Sequence, residues 1–414
     1  MDALKCLDQP VQRDTAGTEF ARIAVLRILH LGKFYPPAQG GIETHVQSLA
    51  RGQAALGAQV EVVCVQHADA YGRDVTWSSL ALTRTTEEAD ANVRVIRFGR
   101  RCSIAKLDYC PGLQGYFKAL CANPPDILHL QSPNPTMVFE LMRSGLRAPL
   151  VITHQSDVVR QKVLHWFYSP VERAAYERAK MIFTSSPRYS EGSALLQKYK
   201  NKVQILPMGI DTRPYAEPHE TVRAEAQRLR ETHGFPLWLS VGRLVYYKGL
   251  DLGLRALARV PGRWMVVGCG PLEKELKSKA AALGVSERVI WTPRLSADAL
   301  VGAYHAATAL WFPSNARSEA YGLVQVEAMA SGCPVINTNI AASGVAWVCP
   351  DGVCGLTVPP NDAGAFAMAA QRLLDEPGLR ERLAVGGRAK ARAEFDQLRM
   401  AERSLELYAQ ARTA

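Results

Sequence analysis

Two glutamates separated by seven residues stand in the segment Ser318-Glu319-Ala320-Tyr321-Gly322-Leu323-Val324-Gln325-Val326-Glu327. Gly322 falls where a helical apolar pattern begins, so Glu319 belongs to the preceding loop and Glu327 to the helix, on an otherwise apolar face. An unpaired carboxylate on such a face is costly. Carboxylates beside free first-turn amides suit a ligand with both hydroxyls and phosphates. The amides of Leu323 and Val324 would meet phosphate and the glutamates hydroxyls. A helix-capping Glu followed by a buried structural Glu would give the same spacing.

Three further segments carry chemistry. In Val241-Gly242-Arg243-Leu244-Val245-Tyr246-Tyr247-Lys248-Gly249, Arg243 and Lys248 flank a loop between a strand and a helix. A guanidinium fork and an ammonium point charge there can neutralise a diphosphate, although two solvated cations would read alike. Gly40-Gly41 follows a first strand and opens a first helix, letting backbone approach a bulky anion; a helix-capping Gly-Gly turn is the plainer alternative. Thr153-His154-Gln155-Ser156-Asp157 sits just past a strand, where open α/β sheets bind ligands. His154 there can donate to a hydroxyl or stabilise charge, with Asp157 orienting it, or serve only as a structural hydrogen-bonder. Neither first strand is followed by GxGxxG, and GxxxxGK[ST] is absent, which counts against a dinucleotide dehydrogenase and a P-loop phosphotransferase.

These segments need a scaffold of alternating strands and helices. Strands are expected at Ile23–Leu31, Val60–Val65, Val93–Phe98, Ile127–Leu130, Leu150–Thr153, Met181–Thr184 and Val203–Leu206, with helical patterns between most of them. That rhythm predicts a parallel sheet with crossover helices. It restarts with Leu237–Val241, Met265–Val267, Val289–Trp291, Ala309–Phe312, Val335–Asn337 and Gly355–Val358. The turn-rich stretch Pro207–Pro214 lies between the two series. Phe395–Arg412 is a helix with no strand after it, free to cross back to the first domain.

Composition agrees with two cored domains: 414 residues, 48% hydrophobic and 21% charged. Nine cysteines without a CxxC pair predict reduced thiols in a cytosolic protein, and no secretory signal or membrane-spanning run is visible. Up to Gly209 there are 25 basic and 18 acidic residues; beyond it, 24 and 21. This spread-out excess lacks the footprint of nucleic-acid binding. It suits a phosphorylated substrate or peripheral contact with an anionic membrane surface. No Asp-x-Asp, HxH or HExxH occurs, so no divalent metal is expected at the diphosphate.

Taken in order, Gly40–Glu43, the His154 region, Val241–Gly249, Gly268–Pro271 and Glu319–Pro334 resemble the retaining glycosyltransferases of GT-B architecture, family 4 (glycosyl transferases group 1), over nearly the whole chain. His154–Lys162 is similar to bacterial polysaccharide mannosyl- and rhamnosyltransferases. The resemblance implies an α/β fold of two Rossmann-like doubly wound domains facing a central cleft. These are an acceptor-side domain over 1–209, a nucleotide-sugar domain over 210–395, and a helix over 396–414 crossing to the first domain. It implies that Gly40 and Gly41 sit under the donor diphosphate, that Arg243 and Lys248 bind it, and that His154 and Glu319 contact the donor sugar. Glu327 would meet the ribose, Gly268 and Gly270 would lie near the base, and Gly322, Leu323 and Val324 would offer amides. The implied reaction is transfer of a hexose with retention, in surface polysaccharide (lipopolysaccharide) biosynthesis. GDP-mannose is the first choice of donor and a saccharide or polyprenyl-linked acceptor is expected, with no cofactor. A UDP-hexose donor and a sugar-nucleotide epimerase of the same shape are the alternatives.

Overall fold

The computed structural model describes residues 26–38, 40–67, 78–79, 82–104, 107–157 and 162–413. Short apolar, β-branched runs form strands buried on both faces, as parallel strands between helical layers must be. The first series comprises β1 (Arg27–Leu31), β2 (Gln59–Val65), β3 (Ser78–Ser79), β4 (Thr86–Asp90), β5 (Val93–Phe98), β6 (Cys102–Ile104), β7 (Leu107–Tyr109), β8 (Ile127–Ser132), β9 (Leu150–His154), β10 (Met181–Thr184) and β11 (Val203–Ile205). The second comprises β12 (Leu237–Val241), β13 (Arg263–Val267), β14 (Val289–Thr292), β15 (Ala309–Phe312), β16 (Val335–Thr338) and β17 (Gly355–Val358).

The first sheet has the order β11-β10-β9-β8-β1-β2-β5-β4 and the second β14-β13-β12-β15-β16-β17, each with helices on both faces. This is the paired doubly wound arrangement of the GT-B architecture. The first sheet departs from all-parallel at its edge, where β4 runs antiparallel to β5. Only Ala91 and Asn92 link them, Ala91 in the left-handed region at φ 52°, and a two-residue turn joins antiparallel strands only. The sequence Thr86-Glu87-Glu88-Ala89-Asp90 carries no apolar alternation. It is a charged edge, which resists pairing with other chains. A small antiparallel sheet, β3-β6-β7, is likewise absent from the strand pattern of the sequence.

The chain crosses between the sheets near Ile210 and returns near Asp396, and the two crossings are bound together. Ile210 N donates to Phe395 O at 2.9 Å, Gln397 N to Ile210 O at 2.8 Å, and Thr212 Oγ1 to Asp396 Oδ2 at 2.7 Å. Gly209 is required here, since a Cβ would stand 2.8 Å from Asp396 O.

After its return the chain forms the helix Gln397–Thr413, which packs on the first helix, Gly41–Ala55. Contact is closest at Gly52, where a Cβ would come within 2.8 Å of Ala401 Cβ. The Gln53 amide donates to Ser404 Oγ at 2.8 Å, and Tyr408 Oη shares a 2.6 Å hydrogen bond with His129 Nδ1. His129 Nε2 meets Thr153 Oγ1 at 2.6 Å, and His30 Nε2 meets Gln53 Oε1 at 2.7 Å. His45, fully enclosed on the 41–55 helix, has no hydrogen-bond partner for either ring nitrogen.

Burial lowers all three imidazoles: His30 to about 4 against its hydrogen bond to Gln53, His45 to about 3, and His129 well below the ordinary value. Such groups take up protons more readily in the unfolded chain, so stability falls as pH drops below about 6.5 toward 4. At pH 5 each costs up to about 2 kcal/mol. The thermal midpoint should therefore fall by several degrees between pH 7.5 and 5, and His45→Leu should shrink that fall. An identical pH profile in the variant would exclude His45 as a contributor.

Candidate functional site

Among the parallel strands of each sheet, sequence order reverses direction at one point, between β1 and β8 in the first and between β12 and β15 in the second. Loops leaving the carboxyl ends of strands diverge at such a point and open a crevice. Here the two crevices face each other. The loops after β1 and β9 contribute Gly40, Gly41, Gln155 and Ser156, and those after β12, β13, β14 and β15 contribute Arg243, Lys248, Gly268, Arg294, Glu319 and Gly322. Together they line a cleft of about 640 Å³. That is within the usual ~300–1,000 Å³ of small-molecule sites.

The charged floor of the cleft is a compact set. Lys248 Nζ lies 2.6 Å from Glu319 Oε2, the two side chains 16% and 10% exposed, and Ser314 Oγ donates to the same oxygen at 3.1 Å. Lys248 also sits 5.0 Å from the ring centre of Phe312. Tyr304 Oη donates to Glu327 Oε2 at 2.6 Å. Burial pushes the Glu327 carboxyl above the usual range, against the pull of Tyr304 and of the Lys248 charge. Arg243 is exposed to the cleft and donates from Nη2 to Tyr247 Oη at 3.0 Å. On the opposite wall burial likewise raises Glu43, opposed by a hydrogen bond from its own backbone and by the charges of Arg243 and Lys33.

Two helix N-termini point into this space. The helix Leu323–Ala330 is capped by Gly322 at φ 83°, with no side-chain cap, and a Cβ there would meet Phe312 Cζ at 2.6 Å. The helix Gly41–Ala55 is capped by Gly40, also without a side-chain hydrogen bond, and the Gly41 Cβ position lies 4.0 Å from Leu323 Cδ1. First-turn amides have no partner within a helix, and a missing cap leaves them to a ligand. The dipoles of both helices favour negative charge there.

The sequence-derived site residues thus converge, with two exceptions. Gly270 does not line the cleft. It lets the 268–271 loop lie against the 242–245 loop, since a Cβ would be 2.4 Å from Leu244 O. His154 is also outside the lining: its ring is 2% exposed, with Nδ1 2.7 Å from Tyr176 Oη and Nε2 3.1 Å from Asp157 Oδ1. The ring stands behind Gln155 and Ser156 with both nitrogens engaged, an arrangement that fits the structural hydrogen-bonding alternative left open by the sequence. Sequence reasoning missed Ser314, Tyr304 and Arg294. Only Arg294 carried a signal, as a cation directly after a strand. Among the described residues, no three His, Cys, Asp or Glu side chains are grouped to hold a metal ion.

Gly268 is the tightest joint of the site. Its φ is 143°, and a Cβ would stand 2.0 Å from Gly242 O, so this loop cannot hold its place beside Arg243 with any side chain at 268. Gly268→Ala should lower stability by about 1–3 kcal/mol, the range of backbone strain at such positions. A calorimetric scan matching the parent would remove this constraint.

The family model described as glycosyl transferases group 1 matches residues 222–390, and that of the glycosyl transferase 4-like domain matches 40–209. The D-rhamnosyltransferase WbpZ of Pseudomonas aeruginosa is 30% identical over 371 residues, covering 89% of this chain and 92% of that protein. The O-antigen chain mannosyltransferase C of Escherichia coli is 30% identical over 387 residues, covering 92% and 98%. Among solved structures, a sucrose-phosphate synthase from Thermosynechococcus elongatus superimposes with a TM-score of 0.74 at 23% identity, covering 93% of this chain and 98% of that one. Sheet order, facing crevices and family matches agree: the chain belongs to the group 1 glycosyltransferases and has their two-domain GT-B fold.

Proposed function

We propose that this enzyme transfers a hexose, mannose or its 6-deoxy relative rhamnose, from a nucleotide sugar to a saccharide acceptor with retention at the anomeric carbon. The observation that carries this reading is the cleft floor, where Lys248, Arg243 and the open 323–330 helix N-terminus face the same space as two carboxylates. The cationic groups suit a departing diphosphate and the carboxylates suit hydroxyls. Breaking the sugar–phosphate bond places new negative charge on the leaving phosphate. Preorganised donors at that point stabilise the transition state more than the ground state. Glu319 would hold a sugar hydroxyl and Glu327 the ribose, with Gln155 and Ser156, braced by His154, as the opposing wall.

GDP-mannose remains the first choice of donor, because two relatives 30% identical over most of their length are named for mannosyl and D-rhamnosyl transfer. The O-antigen assignment of one of them favours a polysaccharide acceptor, saccharide or polyprenyl-linked. Among the described residues no helix is long and apolar enough to cross a membrane.

A thermal-shift panel of nucleotide sugars identifies the donor, since a ligand of the folded state raises apparent stability once it exceeds its dissociation constant. With that donor, Glu319→Gln should keep the fold and lose about 10- to 100-fold in transfer rate, equivalent to one charge-assisted hydrogen bond of about 1.5–3 kcal/mol. Full transfer by the variant at saturating donor refutes the role of Glu319. Free epimerised nucleotide sugar appearing without acceptor would instead establish an isomerase.

Transfer should also persist in excess EDTA, because Arg243, Lys248 and the helix amides supply the positive charge for which other sites use Mg²⁺ or Mn²⁺. Loss of activity on chelation, restored by either ion, contradicts this.

A further inference from the structure

Arg317 and Asp157 belong to opposite domains and form an ion pair, Nη1 to Oδ2 at 2.8 Å. Arg317 lies in the loop after β15, two residues before Glu319, and Asp157 lies three residues beyond the end of β9, beside the cleft-lining Gln155 and Ser156. The guanidinium is fixed on its other sides as well. It stacks 4.7 Å from the ring centre of Tyr189, and its Nε donates to Ala342 O at 3.0 Å. The carboxylate is equally committed: Oδ1 accepts from Ser193 Oγ at 2.7 Å and meets His154 Nε2 at 3.1 Å. The Asp157 amide donates to Tyr189 Oη at 2.7 Å, so one tyrosine touches both members of the pair.

The seam around the pair is tight. Arg188 Nη2 donates across it to Asn339 Oδ1 at 2.9 Å, and a Cβ on Gly192 would stand 2.1 Å from Ala342 Cβ. The Asp157 and Arg317 side chains are 23% and 29% exposed, more shielded than most ion pairs on this surface. The carboxylate is held down to about 2, by hydrogen bonds from His154 and Ser193 and by the His154 and Arg317 charges, against its burial. A shielded, hydrogen-bonded pair of this kind is worth more than a solvated one, and removing one partner strands the other. Because its members sit on different domains, the pair exists only when the two walls of the cleft stand in this relation.

We infer that Arg317 is a positioning residue that couples closure of the cleft to the site. By seating on Asp157 and Tyr189, it locks the His154–Ser156 wall against the loop carrying Glu319, so both sides of the sugar pocket are aligned only when the domains meet. The consequence for transfer rests on the glycosyltransfer reading above; the latch itself does not.

The experiment uses Arg317→Gln, Asp157→Asn, the double variant and Arg317→Lys, in the full chain. Small-angle scattering without ligand should give a larger radius of gyration for Arg317→Gln and Asp157→Asn, no further increase in the double variant, and partial restoration by Lys. Titration with GDP and with UDP should show affinities within about threefold of the parent, since those contacts come mainly from the second domain. Turnover of the donor identified by the thermal panel should fall at least tenfold in kcat, with donor KM little changed. The double variant should be no slower than Asp157→Asn. An unchanged radius in both single variants overturns the latch. Additive losses in kcat overturn action through Asp157 and leave Arg317 as a local brace for its own loop at Ala342. If the parent turns over no nucleotide sugar, the proposed function fails while the scattering still decides the latch.

Discussion

The structure depends on how the carboxyl ends of two separate sheets are held toward one gap. Neither sheet forms the cleft alone: the loops after β12 and β15 carry the charges, and those after β1 and β9 supply the facing wall. What fixes their relation near the crossing is a pair of backbone hydrogen bonds, Ile210 N to Phe395 O and Gln397 N to Ile210 O. Side by side, the two crossings form a short parallel ribbon that joins the two cores. The 397–413 helix then ties the second crossing to the first domain through Gly52, Gln53 and the buried histidines. Docking that helix and aligning the cleft are therefore linked.

Within the cleft, close backbone approach does as much as charge. Gly242, Gly268 and Gly270 let two loops lie against each other, Leu244 N donating to Cys269 O at 3.0 Å and Leu272 N to Leu244 O at 3.2 Å. This interlock holds the stretch leading to Arg243 and Lys248 without using a side chain from the cleft. Beneath it, Trp238 stacks on Trp311 at 5.0 Å, and Ser240 Oγ, taking a hydrogen bond from Trp264 Nε1, donates to Trp311 O. Large side chains filling the layer under the strand ends leave the loops above little room to shift, as expected of interiors packed like organic crystals.

The strands and the E-x7-E segment were legible in the sequence because each is a local pattern. Val93–Phe98, Met181–Thr184, Leu237–Val241, Ala309–Phe312 and Gly355–Val358 appear in the fold with the bounds expected from hydrophobic runs and glycine stops, and the helix Leu323–Ala330 starts just after Gly322 as its apolar pattern does. β4 was not legible, since its acidic residues serve an exposed edge and its pairing is set by a two-residue turn. The burial of His154 was missed because it depends on Tyr176, which reaches the ring from a helix 22 residues away. Arg317 stood within three residues of a motif singled out for chemistry and gave no signal. Its partner is 160 positions away, and only the meeting of the two domains makes the contact meaningful.

Within the cleft Lys248 and Glu319 neutralise each other, and on the proposed reading this shapes what the site can bind. Lys248 and Glu319 hold each other at 2.6 Å, so a ligand must replace both halves of that pair to avoid leaving one buried charge without a partner. A bare phosphate competes with Glu319 for Lys248 and offers the carboxylate nothing in return. A bare sugar engages Glu319 and leaves Lys248 short of an anion. A sugar joined to a diphosphate supplies an anion and hydroxyls in one molecule, so its two halves are worth more together than apart. On that reading, when the bond between those halves breaks, the growing charge on phosphate would strengthen the contact to Lys248 while Glu319 would keep its hydroxyl. On the proposed reading the Lys248–Glu319 pair would act as a filter, disfavouring fragments of the donor and reserving its strongest interaction for the moment of bond cleavage.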